Sequence, residues 1–173
     1  GSRITWASPK VGHVVHVWKG SVIAEGKPLE TGSTVIVEHR GSATVTAGAE
    51  GATLVHYSTD FVFDGTASEP YDDDAPTAPM STYASSKLVG EWFALEAPSA
   101  YVLRVESLFG AEPGWGVRAG TVDRIVDGLR RGQVVTVLTD RVVSPSYTPD
   151  VAMATRHLIE TGAEPGVYHC VNA

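Results

Sequence analysis

A change of hydrophobic period near residues 57–65 limits the possible folds of this chain more than any other feature. One side of it alternates with the two-residue repeat of a strand, and the other follows the 3.6-residue repeat of a helix. Before the change, short β-branched runs recur: Val14-Val15-His16-Val17-Trp18, Ser21-Val22-Ile23-Ala24, Ser33-Thr34-Val35-Ile36-Val37, Ala43-Thr44-Val45-Thr46 and Thr53-Leu54-Val55-His56-Tyr57. Lys19-Gly20, Glu25-Gly26, Thr31-Gly32, Arg40-Gly41 and Glu50-Gly51 punctuate them. Strands spaced by about 8–12 residues imply a meander, a sandwich or part of a barrel. No helical period occurs there, so an all-β stretch is expected.

Beyond about residue 70 helices and strands alternate. Residues 82–96 carry Ala84, Leu88, Trp92 and Leu95 on one helical side and Tyr83, Lys87 and Glu91 on another. A strand is expected at 100–105. A helix over 121–131 follows, with Val122, Ile125, Val126 and Leu129 at i, i+3, i+4 and i+7, closed by Arg130, Arg131 and a Gly132 cap. A strand at 134–138, a helix over about 149–161 capped by Gly162, and a strand at 167–171 complete the pattern. Such alternation predicts a parallel, helix-covered sheet. The fold class is therefore α/β, an incomplete Rossmann-like sheet over residues 53–173, preceded by a β-rich segment over 1–52.

The 173 residues can bury a substantial core as one domain or two small ones. A net charge of -7 argues against nucleic acid and against an anionic membrane surface. No apolar run approaches the ~18 residues of a membrane span. The single cysteine, Cys170, allows no intrachain disulfide and fits a reducing cytoplasm. It reads as a core thiol, and Gly1-Ser2 reads as a cloning remnant. Asp72, Asp73 and Asp74 read as a solvated loop, and Trp92 as core. Trp115, in a glycine-rich loop, is the better candidate for stacking on a ligand.

Chemistry concentrates in Pro79-Met80-Ser81-Thr82-Tyr83-Ala84-Ser85-Ser86-Lys87. Tyr83 and Lys87, at i and i+4, share one helical face a turn apart. An ammonium beside a phenol favours the phenolate. A hydroxyl at the end of the preceding strand, from Ser58-Thr59-Asp60, could share the same substrate oxygen. This constellation suits carbonyl reduction or alcohol oxidation.

The series His56-Tyr57-Ser58-Thr59-Asp60-Phe61-Val62-Phe63-Asp64-Gly65, Pro70-Tyr71, Tyr83-Ala84-Ser85-Ser86-Lys87-Leu88-Val89-Gly90-Glu91, Leu103-Arg104, Phe109-Gly110 and Ser144-Pro145-Ser146-Tyr147-Thr148-Pro149-Asp150-Val151-Ala152 resembles the extended short-chain dehydrogenase/reductase superfamily. Within it, the likeness is to the dTDP-4-dehydrorhamnose reductase family and covers about residues 51–173. The 24-residue separation of Thr59 from Tyr83 belongs to that likeness. The resemblance implies an NAD(P)-dependent oxidoreductase that reduces a 4-keto nucleotide sugar with NADPH or NADH. Tyr83 would protonate the substrate oxygen. Lys87 would assist it and hydrogen-bond the nicotinamide ribose, and Thr59 would orient the carbonyl. Ser58 and Arg104 would lie on the cofactor side. The strand end at Arg104 and the loop carrying Arg141 and Tyr147 would face the nucleotide sugar. Where the family usually shows a tryptophan after Leu103-Arg104, this chain has Glu106-Ser107-Leu108, a departure that bears on sugar specificity.

The strand, Gly-x-x-Gly-x-x-Gly turn and helix that cradle a pyrophosphate do not occur in the first 50 residues. Thr46-Ala47-Gly48-Ala49-Glu50-Gly51-Ala52 comes nearest, but a strand follows it, so it reads as a β-turn. His13 to Ser21, Lys27 to Thr34 and Ala47 to Ala52 instead resemble strand and turn phrases of a small cupin. Cupins often bind a metal through histidines and a glutamate. His13, His16 and His39 do not make that set, so no metal is expected. The alternatives to a reductase are a non-catalytic binding, regulatory or recombined scaffold module and a cupin-type sugar isomerase. Association, including with a second copy, would cover an open sheet edge.

Overall fold

The computed structural model describes residues 3–7, 13–17, 21–31, 34–37, 42–48, 51–110 and 119–172. The chain divides into two compact units, Gly1–Thr53 and Leu54–Ala173.

The described strands of the first unit are β1 (Arg3–Ala7), β2 (His13–His16), β3 (Ser21–Ala24), β4 (Lys27–Glu30), β5 (Thr34–Val37) and β6 (Ser42–Ala47). They form a four-stranded antiparallel sheet ordered β1-β6-β3-β4 and a separate β2-β5 pair. Glu25 and Gly26, with φ of 49° and 74°, make the two-residue turn between β3 and β4. Positive φ at both central residues is what a tight hairpin requires, and it explains the glycine. The Glu25 carboxylate accepts the Thr44 N–H at 2.6 Å, tying that turn to β6. Val22 and Ala24 point inward from β3 and, with Val17 and Val45, form a small core against which Leu29 packs. Ile23, between them, is exposed. This in-out alternation is that of an antiparallel sheet packed on one face.

Two strands escaped the sequence reading. β4 contains Pro28, which argues against a central strand, yet β4 lies at the sheet edge, where the missing N–H is tolerated. β1 carries the alternation Ile4, Thr5, Trp6 in too short a run to stand out. Within Thr46 to Ala52 the Gly51 N–H donates to the Gly48 carbonyl at 3.1 Å, and residues 49 and 50 lie outside the described residues. His39 lies outside the described residues, and the side chains of His13 and His16 are likewise outside them.

The second unit contains β7 (Leu54–Thr59), α1 (Thr82–Leu95), β8 (Ala100–Val105), α2 (Thr121–Arg130), α3 (Thr148–Thr161) and β9 (Gly166–His169). β7, β8 and β9 form a parallel sheet in that order, with Thr59 paired to Val105 and Arg104 to His169. The chain is thus mixed α/β with a parallel sheet. All six residues of β8 are buried, as expected of a central parallel strand. Ser81 caps α1 by accepting the Ala84 N–H at 3.1 Å. Gly162, at φ 62°, closes α3 in the left-handed conformation. Val62, Phe63 and Leu88 form a second core, with Tyr71 stacked on Phe63 at 4.2 Å.

Three expectations are corrected here. Residues 134–138 form no strand; Val134 and Leu138 are exposed, and among the described residues no neighbouring strand takes up their backbone groups. Trp92 is 60% exposed rather than core. Glu91, expected on the polar side of α1, is buried with Ala84, Leu88 and Ala94. The stripe runs through Glu91 instead of Trp92 because Arg104 lies buried opposite it on β8.

Candidate active site

Ligand crevices in parallel sheets form outside the carboxyl ends of the strands. Thr59 ends β7 and Val105 ends β8, side by side in register. Thr59 is buried and caps the short 3-10 turn Asp60–Val62, accepting the Phe61 N–H at 3.3 Å. Its own hydroxyl donates to Asp60 Oδ1 at 2.9 Å. Tyr83, in the first turn of α1, lies edge-on to Phe61 with ring centroids 6.4 Å apart. It is 55% exposed, so its phenol is open to a ligand. One turn on, the Lys87 ammonium donates to the Tyr57 carbonyl of β7. Burial pushes Lys87 below its ordinary value, partly offset by the Glu91 carboxylate. The structure therefore gathers Thr59, Tyr83 and Lys87 around the end of β7.

Ser58 and Arg104 are placed differently from the expectation that they face a cofactor. Ser58 is buried and donates its hydroxyl proton to Glu91 Oε1. Arg104 holds both Glu91 oxygens, through Nε at 3.1 Å and Nη2 at 2.8 Å. Its Nη1 donates to the Asp73 carbonyl at 3.1 Å, and its guanidinium lies 5.0 Å from the centre of the Phe63 ring. A charge so enclosed is available for packing α1 onto the sheet and not for a ligand. Asp73, read as part of a solvated loop, also accepts the His169 N–H at 2.7 Å.

Tyr147 precedes α3, and its ring packs on Phe109 at 5.3 Å. Gly110 allows this, since a side chain there would have its Cβ 2.2 Å from the Tyr147 ring. Arg141 is exposed in the connection between α2 and α3. Trp115 lies outside the described residues. The Asp123 carboxylate accepts the Gly110 and Gly120 N–H groups, each at 2.9 Å, and so joins two described segments beside Phe109.

Sequence reasoning missed Glu91, Asp60 and Glu106 as site residues. A glutamate falling in register with Ala84 and Leu88 was the signal for the first. For Asp60 and Glu106 the signal was position, because each directly follows the end of a strand whose partner is the other's. Among the described residues no group of three or more His, Cys, Asp or Glu side chains is arranged to hold a metal ion, and no helix is long and apolar enough to cross a membrane.

Comparison with known proteins places the chain in a family. The family model of the RmlD substrate binding domain matches residues 27–173, and so begins inside the β-rich unit. The dTDP-4-dehydrorhamnose reductase of Mycolicibacterium smegmatis is 35% identical over 156 residues, which cover 87% of this chain and 45% of that protein. A probable dTDP-4,6-dihydroxy-2-methyloxan-3-one 4-ketoreductase of Streptomyces antibioticus is 40% identical over 124 residues, 69% of this chain and 39% of its own. Among solved structures, the dTDP-4-dehydrorhamnose reductase of Bacillus anthracis in complex with NADP superposes with a TM-score of 0.62 at 31% identity, covering 70% of this chain and 42% of that one. The chain thus spans less than half the length of the relatives it matches.

Proposed function

The chain belongs to the RmlD substrate binding domain family, and from that premise we propose that it carries the substrate-side and proton-transfer half of an NAD(P)H-dependent reductase acting on a 4-keto nucleotide sugar. The observation that carries this reading is the grouping at the end of β7. Tyr83 is open there, Lys87 is fixed to the Tyr57 carbonyl, and Thr59 closes the strand.

The residues present fit part of a dinucleotide. Lys87 uses one of its three N–H groups on Tyr57, and the others suit a ribose hydroxyl. The described residues before β7 are strands and turns, and they offer no helix N-terminus to a pyrophosphate. Bound nicotinamide would supply hydride. This chain's own residues would do the rest: Tyr83 gives its phenolic proton to the substrate oxygen, the Lys87 ammonium stabilises the phenolate left behind, and Thr59 orients that oxygen. Arg141 and Tyr147, on the connection leading into α3, are the proposed contacts to the nucleotide sugar.

A second reading, a reductase-like binding or scaffold module, is favoured by one observation: the first described helix is α1, beginning at Thr82. The cupin-like reading of residues 1–52 remains a proposal about fold, supported by the antiparallel sheet and its tight Glu25-Gly26 turn. A cytoplasmic setting is proposed on the lone cysteine.

Titration of the full chain with NADPH and NADH, followed by nicotinamide fluorescence and then by turnover of dTDP-4-dehydrorhamnose, tests the function. Micromolar binding with turnover that Tyr83→Phe abolishes supports the reductase. No binding up to millimolar cofactor overturns it in favour of the module.

A further inference from the structure

Beyond the strand ends, Asp60 and Glu106 face each other. They are the residues immediately after the register pair Thr59 and Val105, so the two carboxyl groups leave neighbouring strand ends and each acts on the proton affinity of the other. Two carboxyl groups can share a hydrogen bond only if one of them keeps its proton. Glu106 is held in place for this. Its main-chain N–H donates to Ser146 Oγ at 3.0 Å, its carbonyl accepts the Ser146 N–H at 2.7 Å, and its Oε2 accepts the Ser144 N–H at 2.8 Å. Ser146 is fully buried and donates to the Cys170 carbonyl at 2.7 Å, so the clamp is anchored in the sheet. Ser107, next along, sits at φ 40°, a left-handed conformation that a serine adopts only when its surroundings impose it. On the other side, Asp60 Oδ1 accepts the Thr59 hydroxyl at 2.9 Å.

We propose that Asp60 and Glu106 form a carboxyl–carboxylate pair sharing one proton, and that the pair sets which way the Thr59 hydroxyl points, making both of them positioning residues. With the proton on Glu106, Asp60 is an anion and draws the Thr59 proton toward itself. Thr59 then offers a ligand only its lone pairs, which suit the O–H of an alcohol. When Asp60 also takes a proton, the Thr59 hydroxyl is released to donate, which suits a ketone. The relevance to substrate rests on the proposed function; the pair itself does not.

The groups facing the pair are consistent with a retained proton. They are the Thr59 hydroxyl and the Phe61 N–H from the end of β7 and the Ser144 N–H from the segment before α3. Of the cations described nearby, Arg104 is bound to Glu91, and the Lys87 ammonium is bound to the Tyr57 carbonyl. Burial raises both carboxyls, and the Asp60 charge raises Glu106 further.

The test is a pH titration of side-chain carboxyl carbons by NMR on the full chain, without cofactor or substrate, following the Thr59 side chain in parallel. The native protein is expected to lose the two protons in coupled steps, with the Thr59 signal tracking the Asp60 step. Asp60→Asn is expected to lower the Glu106 midpoint by about one pH unit, a tenfold change in its proton affinity. A Glu106 midpoint unmoved by Asp60→Asn, or a Thr59 signal flat through the Asp60 step, overturns the proposal. Should Asp60→Asn not fold, Glu106→Gln takes its place: Asp60 must then titrate in a single step, and a persisting two-step curve overturns the pair. A chain that shows no reductase turnover yet titrates in this way refutes the proposed function and leaves the pair standing.

Discussion

The β-rich unit and the α/β unit are held together by different physics. In the first, the strands pair antiparallel, from the tight β3-β4 hairpin to the long-range β1-β6 pair, and the core found among the described residues is small, built from Val17, Val22, Ala24 and Val45. In the second, β8 is enclosed on both faces, and the seam between α1 and the sheet contains a buried Glu91–Arg104 pair in place of a purely apolar contact. An apolar seam tolerates trimming in proportion to the area lost. A charged seam fails abruptly, because removing either partner leaves the other buried and uncompensated.

That contrast is most exposed to test at Glu91. Glu91→Ala should cost about 3–5 kcal/mol in chemical unfolding, with amide-exchange protection lost in β7, β8 and β9 while β1, β3 and β6 keep theirs. Equal loss in both sheets would show one cooperative body and remove the distinction. Val22→Ala, in the smaller core, should cost about 1.6 kcal/mol, from ~0.8 kcal/mol for each carbon removed, and its effect should stay within the antiparallel sheet. Gly162→Ala forces a Cβ into the left-handed cap of α3 and should cost about 1 kcal/mol, read as a lowered melting temperature.

A smaller effect follows from pH. Burial holds the Glu106 carboxyl above its ordinary 4.5 and that of Asp60 above 3.8. Both therefore bind their protons more tightly folded than unfolded. The resulting stabilisation is complete below the ordinary values and is lost as pH rises through the folded ones. Glu106→Gln cannot ionise, so its stability relative to the native chain should improve as pH rises from 4.5, read as a growing difference in melting temperature between the two. The smallest effect belongs to Tyr83→Phe. The ring is largely exposed, so stability should change by no more than about 0.5 kcal/mol, whatever happens to turnover.

What the sequence made legible was local. The three helices announced themselves through apolar period and end signals, with Gly132 and Gly162 both at positive φ where caps were expected. The chemistry of Tyr83, Lys87 and Thr59 was visible because it depends on helical spacing and on one strand end. Residues 134–138 looked like a strand because propensity alone cannot tell whether a neighbouring edge exists to pair with. Arg104 looked available for a ligand because nothing in a linear pattern indicates that a glutamate 13 residues earlier will meet it across a helix–sheet seam. The Asp60–Glu106 contact was hidden for the same reason, since it arises only from the register of β7 against β8.

The stitching of residues 145–147 to residues 170–172 has a consequence for biosynthesis. The Ser146 hydroxyl donates to the Cys170 carbonyl, the Tyr147 N–H donates to the Asn172 side chain at 2.6 Å, and the Asn172 N–H donates to the Pro145 carbonyl at 3.1 Å. A ribosome delivers the chain from its N-terminus at about 5–20 residues per second. Tyr83, Lys87 and Thr59 can therefore settle while synthesis is under way, but the strap that clamps Glu106 and presents Tyr147 has no anchor until residues 170–172 leave the exit tunnel. The crevice is thus set only after the strands and helices that flank it have been made, so a nascent chain halted before residue 170 would have those elements and still lack a set site.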